Sequence, residues 1–381
     1  MKFESLIVQG IPAHDNPYGA IVPPIFLAST YIQPAIGEEQ EFAYSRGGNP
    51  TRNQVEDLLA QLEEAKYSYA FASGMAATSS VFNLLQQGDK VLLNSNIYGG
   101  TFRYLDQLFQ QRGLEYRLVA DFNQLSAEDF DPTVKMVFIE TPSNPLLEVT
   151  DIKKISELAH QQGALVAVDN TFLTAYLQKP LALGADIVTY SATKYLSGHA
   201  DLIAGAVLTN DQQLGERLKI IQNTLGNILS PFDSYSLIRG IKTLAVRLDR
   251  QLANTHKIID FLSGEGIAVN YAGARSEAEA AIQASQAKGI GAVISFELPA
   301  SYDLPQFIQA LKLFPLAVSL GGVESLICHP ASMTHESYSQ ALRDQIGISQ
   351  RLLRLAIGIE SSEDLIADLA QALKAAKGEN K

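Results

Sequence analysis

The sequence contains one cysteine, Cys328, and no tryptophan among its 381 residues. A single thiol excludes a disulfide framework within the chain and any multi-cysteine metal centre, and a reducing, cytoplasmic setting is the expectation. Metal-ligand spacings are scarce too: the six histidines are scattered, and His329 and His335 stand too far apart for one helical face. No metal site is therefore expected. No stretch approaches the ~20 consecutive apolar residues of a spanning helix. Residues 1–10 lack a basic segment followed by an apolar run, so neither a leader nor a membrane partner is expected. Positive charge is the scarcer sign, 29 Lys and Arg against 41 Asp and Glu, for a net charge of -12. That balance argues against a general nucleic-acid or anionic-membrane surface, while leaving room for a local cationic pocket. Also missing is a Gly-x-Gly-x-x-Gly at the first strand–helix turn, which sets aside a nucleotide-binding oxidoreductase.

What is present is an ordinary globular balance, 46% hydrophobic and 18% charged, in a chain too long for one core. Residues 1–43 read as an extended arm, because Pro12, Pro17, Pro23, Pro24 and Pro34 interrupt any sustained periodicity. Such an arm must bury its apolar residues against something, and a second subunit is a natural surface. From residue 44 the pattern becomes α/β. Asn49-Pro50 starts a helix whose Val55, Leu58, Leu59 and Leu62 share a face. Apolar runs follow at 91–93, 134–139, 165–168, 187–190 and 204–208, with amphipathic helices between several of them. One such helix carries Ile152, Ile155, Leu158 and Ala159, with Thr150 as its cap and Gly163 as its stop. Apolar strands alternating with helices predict a mostly parallel sheet covered on both faces, here spanning 44–232. Residues 233–381 read as a smaller α+β domain. It holds one long helix over 234–262, an exposed Ala- and Glu-rich helix over 277–287, runs at 292–298, 316–320 and 354–359, and a last helix opened by Ser361 or Ser362.

Ligands of open α/β sheets sit beyond the carboxyl ends of the strands. The polar residues that follow the runs are therefore informative: Glu140-Thr141-Pro142-Ser143-Asn144 after the second, Asp169-Asn170-Thr171 after the third, Ser191-Ala192-Thr193-Lys194 after the fourth. Singly, each has a bland explanation as a cap, a turn or a solvated loop residue. Jointly they offer what pyridoxal phosphate requires: an amine for its aldehyde, an anion for its ring nitrogen and donors for its phosphate. Ser73-Gly74-Met75 opens a helical stretch whose first amides suit a phosphate.

The segment from Ser191 to His199 resembles the lysine signature of the Cys/Met-metabolism pyridoxal-phosphate enzymes. Five further stretches carry the same resemblance: 44–51, 73–76, 98–101, 140–145 and 168–171, and a sixth lies at 319–325. The resemblance implies the aspartate-aminotransferase-like fold (fold type I) and a homo-oligomer, a tetramer built from tight dimers with shared active sites. It implies that Lys194 is the Schiff-base lysine and Asp169 the ring-nitrogen partner, flanked by Thr171. Gly74, Met75, Ser191 and Thr193 would bind the phosphate, joined by Tyr44 and Arg46 from the neighbouring subunit. Tyr98 resembles the tyrosine that stacks on the cofactor and moves protons. Arg354, with Asn144 and the backbone near Ser319, resembles the grip on a substrate carboxylate, and Glu140 and Val318 complete the substrate side. Arg351 reads as a solvated neighbour of Arg354, and Cys328 as a small packed side chain.

Within the family, the stretch from Tyr98 to Arg103 resembles bacterial cystathionine lyases. γ-Elimination of cysteine from L-cystathionine, giving 2-oxobutanoate and ammonia, is the expected reaction, with β-elimination open as a side activity. Val318 stands where γ-lyases and γ-synthases often carry Glu, which resembles methionine γ-lyase; Gly100 stands where methionine γ-lyases usually carry Cys. γ-Replacement by a cystathionine γ-synthase or an O-acylhomoserine sulfhydrylase, methionine γ-elimination, and a non-catalytic cofactor-binding regulator stay open as alternatives.

Overall fold

The computed structural model describes residues 1–11, 18–38 and 40–377; Pro12 and Pro17 lie outside them. Seven strands form the larger sheet: β1 (Tyr67–Phe71), β2 (Lys90–Asn94), β3 (Glu115–Val119), β4 (Val134–Glu140), β5 (Leu165–Asp169), β6 (Ile187–Tyr190) and β7 (Gly205–Thr209). Their order is β1-β7-β6-β5-β4-β2-β3, with β7 antiparallel to both β6 and β1 and the other pairings parallel. The sheet is covered on both faces, as its apolar runs require. Met136 and Phe138 of β4 enter the core on one side, and Val137 and Ile139 that on the other. The two strands that the apolar runs do not reveal, β1 and β3, are the sheet edges, and β3 carries Glu115 and Arg117. Edge strands need fewer apolar residues and commonly carry charge.

The helix Pro50–Glu63 begins as its sequence dictates: the Asn49 side chain accepts from the Thr51 and Arg52 amides at 2.9 and 3.2 Å. The helix Ile152–Gln161 starts one residue later than expected. Its cap is Asp151, whose carboxylate accepts from the Lys154 amide at 3.0 Å, and not Thr150. The long helix expected over 234–262 is two, Pro231–Ile241 and Leu244–Gly264. The break follows from Gly240. Its carbonyl accepts from the Thr243 amide, the Thr243 hydroxyl and the Arg247 guanidinium, so the regular ladder stops there.

The helix Glu277–Gln286 is not simply exposed. Glu279 and Gln286 are buried and accept from the Val149 and Ile152 amides at 2.7 and 3.2 Å, docking a polar helix through hydrogen bonds. The arm, too, is not wholly extended, since Phe3–Gln9 is a helix. Beyond it, Ile21, Leu27, Ile32 and Ile36 are exposed.

The smaller sheet is antiparallel: β8 (Val269–Asn270), β9 (Val293–Glu297), β10 (Leu326–Cys328) and β11 (Leu352–Ala356), in the order β10-β11-β9-β8. The helices Leu244–Gly264 and Ser362–Ala376 pack its core with Ile258, Leu262, Leu365 and Leu369, the latter helix capped by Ser361. Residues 316–320 form no strand. Only Leu316 bridges to Ile327, and Ser319 has φ of 90°, a left-handed backbone that cannot continue a strand. Each sheet has a core of its own, and a shared core joins Val188 and Ala206 of the larger sheet to Val293 and Ala356 of the smaller. The change of sheet supports a division near residue 232, which we propose as the domain boundary. The helix Pro231–Ile241 then acts as a bridge, since Leu237, Ile238 and Ile241 share a core with Val55, Leu58 and Leu59 of Pro50–Glu63.

Candidate active site

Because β4, β5 and β6 run parallel, their carboxyl ends open on one rim. Glu140 ends β4, Asp169 ends β5 and Ser191 follows β6. A cavity of about 370 Å³ lies beyond them, within the roughly 300–1,000 Å³ of small-molecule sites. The helix Gly74–Phe82 points its first turn into it, with Ser73 accepting from the Ala76 amide at 3.0 Å. Glycine is required at its start: a Cβ on Gly74 would stand 2.8 Å from the Cβ and Oγ of Ser191. Helix amides and two hydroxyls are thereby held side by side. Thr193 secures its loop through Ala204, donating to the carbonyl at 3.1 Å and accepting from the amide at 2.9 Å. The Thr171 hydroxyl accepts from the Ser191 amide at 2.8 Å, tying the end of β5 to the lysine loop.

Lys194 reaches into the cavity and donates to the Ser319 hydroxyl at 2.8 Å. Burial, then the nearby Arg354 cation, push its amine down to about 8. Asp169 accepts from the Thr171 amide at 3.0 Å, and burial raises its pKa. Glu140 is raised well above the usual carboxylate range, by burial first and then by Asp169 beside it. Its Oε2 accepts from the Tyr98 amide at 3.0 Å. Arg354, at the middle of β11, is buried; it donates to Asn144 Oδ1 at 2.9 Å and to the Ser319 carbonyl at 2.8 Å. The left-handed backbone of Ser319 is what lets one residue face both Lys194 and Arg354. Val318 beside it is 56% exposed and lines the cavity mouth instead of packing in a strand.

The cavity thus gathers Gly74, Met75, Tyr98, Glu140, Asn144 and Asp169. With them stand Thr171, Ser191, Thr193, Lys194, Val318, Ser319 and Arg354. Tyr44 and Arg46 are not among them. They line a separate groove, where Arg46 donates to the Asn223 carbonyl at 3.1 Å. Arg351 is no solvated neighbour: its guanidinium donates to the carbonyls of Leu298, Pro299 and Tyr302. Cys328 is packed at 1% exposure, beside Met333. Thr78, Ile203, Met333 and Thr334 also line the cavity and carry no sequence signal that reveals it. For Thr334 a hint lies in Gly99, where a Cβ would stand 1.9 Å from the Thr334 carbonyl oxygen.

These residues fit pyridoxal phosphate on their own chemistry. A half-buried amine of lowered basicity suits an aldehyde, and a half-buried carboxylate with no ion-pair partner among the described residues suits a protonated ring nitrogen. The close approach at Gly74 leaves a cradle of amides and hydroxyls for a phosphate. The Arg354 Nε is buried without a hydrogen-bond partner among the described residues, a donor available to an anionic ligand.

Residues 4–374 match the model of the Cys/Met metabolism PLP-dependent enzymes. A cystathionine beta-lyase of Lactococcus lactis is 45% identical, over 98% of this chain and 99% of its own. A cystathionine gamma-lyase of Bacillus subtilis is 42% identical, over 98% of this chain and 100% of its own. The crystal structure of cystathionine gamma-lyase from Lactobacillus plantarum complexed with L-serine superposes with a TM-score of 0.96 at 42% identity, covering 100% of both chains. Fold, cavity chemistry and sequence agree: the chain belongs to the Cys/Met metabolism PLP-dependent enzyme family and is a pyridoxal-phosphate-dependent carbon–sulfur lyase of fold type I.

Proposed function

We propose that the chain cleaves L-cystathionine by γ-elimination, giving cysteine, 2-oxobutanoate and ammonia. The observation that carries this reading is the placement of the Lys194 amine in one cavity with Asp169 and the carboxylate-binding face of Arg354. Bound pyridoxal phosphate supplies an electron sink for a carbanion at the substrate α-carbon. Arg354, oriented by Asn144 and the Ser319 carbonyl, holds the substrate α-carboxylate. Lys194 would hold the cofactor aldehyde and, as a free amine, would take the α-proton and then move a β-proton, a role suited to an amine pushed down to about 8. Asp169 keeps the proton on the ring nitrogen. The Gly74 and Met75 amides and the Ser191 hydroxyl would hold the phosphate, joined by the Thr193 hydroxyl once it turns its proton from the Ala204 carbonyl. Tyr98 at the cavity mouth would stack on the cofactor, and Tyr98 or Lys194 would supply a proton to the leaving thiol. Tyr44 and Arg46, away from their own chain's cavity, complete the phosphate site of a second copy in a homo-oligomer.

The Lactococcus relative's name favours β-elimination as a second reading, in which sulfur leaves directly after α-proton removal. Purified enzyme is incubated separately with cystathionine, with methionine, and with an O-acylhomoserine plus cysteine. Cysteine with 2-oxobutanoate is expected from the first. Homocysteine with pyruvate would move the assignment to β-elimination. Methanethiol from methionine, or cystathionine from the acylhomoserine at a greater rate than its cleavage, would overturn it.

A further inference from the structure

β4 and β5 pair in parallel register, and the partner of Asp169 across that ladder is Glu140. Register partners point to the same face of a sheet and stand roughly 4.8 Å apart. Both are the last residues of their strands, and both side chains open on the cavity. Neither has an ion-pair partner among the described residues. A buried carboxylate, Glu140, and a half-buried one, Asp169, at this spacing do not both ionise, because each charge raises the cost of the other.

We propose that Glu140 holds the shared proton of this pair, leaving Asp169 as the single charged carboxylate for the ring nitrogen of bound pyridoxal phosphate. The inference rests on the assignment of Asp169 to that nitrogen. Asp is intrinsically the stronger acid of the two, and a ring cation in contact with Asp169 adds to the difference. Burial and Asp169 both push Glu140 in the direction of the neutral form. The other groups that face Glu140 are Arg354 from β11, which opposes protonation, and Tyr338, a neutral phenol that donates to the Ile97 carbonyl at 2.9 Å. Lys194 stands across the cavity. A neutral carboxyl still accepts from the Tyr98 amide through its carbonyl oxygen, so the anchor at the start of the helix Gly99–Tyr104 persists. Glu140 is thus a positioning residue: it sets the charge of Asp169 and the backbone of Tyr98. Its carboxylate faces these two groups, whereas the family resemblance places it on the substrate side.

The test uses the holoenzyme and Glu140→Gln, whose amide is the isostere of a neutral carboxyl. Infrared difference spectra of parent minus variant are expected to show a carboxylic-acid C=O band at neutral pH. Cofactor dissociation, read by equilibrium dialysis, is expected to stay within about threefold of the parent for Glu140→Gln and to weaken by more than about tenfold for Glu140→Ala. A parent without that band, or a Glu140→Gln variant that weakens cofactor binding tenfold or more, overturns the proposal. Asp169→Asn separates the two ideas: unchanged cofactor affinity and spectrum in that variant would remove the Asp169 assignment itself, and the proposal with it.

Discussion

At the scale of single residues, the chemistry of the site is set by burial more than by charge pairing. Lys194 has no carboxylate partner among the described residues, and its amine is pushed down to about 8 by burial and by Arg354. The folded value lies below the ~10.4 of an unfolded lysine, so between the two the folded chain binds fewer protons. Stability of the cofactor-free protein gains from this group as pH rises through that window, and bears the full cost below it. Function follows the same titration: covalent capture of the cofactor by the cofactor-free enzyme should accelerate with pH and level off above about 8. Stopped-flow absorbance checks this, and a flat profile between pH 6 and 9 (about three units around the lysine's midpoint) contradicts it. Glu63 has the opposite sign. It is buried against the Tyr190 hydroxyl, behind the Asp169–Asn170 turn, and burial pushes it up to about 8. The folded chain binds the extra proton between the ~4.3 of an unfolded glutamate and that value, so stability is lost as pH rises through the window. Glu63→Gln should flatten this dependence. The melting temperature of the cofactor-free parent is expected to fall several degrees more than that of the variant between pH 5 and 8 (about the width of the Glu63 window). Arg354→Lys removes a guanidinium fork and should lower kcat/KM by roughly 10- to 100-fold, chiefly through KM.

At the scale of elements, the site is as good as the strands and helix ends that aim it. Phe138 of β4 is fully buried against Phe82 at 5.1 Å between rings, two residues before Glu140. Phe138→Ala should cost about 3–5 kcal/mol of stability, read by chemical denaturation. Gly321 has φ of 78°, and a Cβ there would stand 2.6 Å from the Tyr195 amide, so Gly321→Ala should displace the loop carrying Lys194 and reduce turnover with the fold retained. These elements differ in how far the sequence announces them. β4, β5 and β6 are legible because buried parallel strands are continuously apolar, and the polar residues that end or follow them line the cavity. Ser319 is legible as a motif member but not as a strand interruption, since a positive φ at serine has no composition cue. The Gly240 break is hidden because it comes from Arg247, which claims a carbonyl from the next helix. Thr334 reaches the cavity only through tertiary packing against Gly99, more than two hundred residues earlier in the chain.

At the scale of the whole molecule, the larger sheet supplies Lys194 and Asp169, while the smaller supplies Arg354 and the 316–320 segment supplies Ser319, so the cavity exists only where the two meet. No helix among the described residues is long and apolar enough to cross a membrane. The exposed Ile21, Leu27, Ile32 and Ile36 and the groove of Tyr44 and Arg46 support assembly with a second copy. Mixing inactive Lys194→Ala and Arg46→Ala chains should then restore about a quarter of the parental activity, because half the dimers are hybrids with one complete site each. Hybrids that stay inactive, when each variant forms dimers alone, would place the whole site in one chain. Beneath every scale stands one proposed bond, which the Lys194 amine would make to the cofactor aldehyde. Borohydride reduction of the holoenzyme, followed by proteolysis and mass spectrometry, locates it directly. A single pyridoxyl-phosphate adduct on Lys194 is the predicted result, and an adduct on another lysine, or none, would contradict the account.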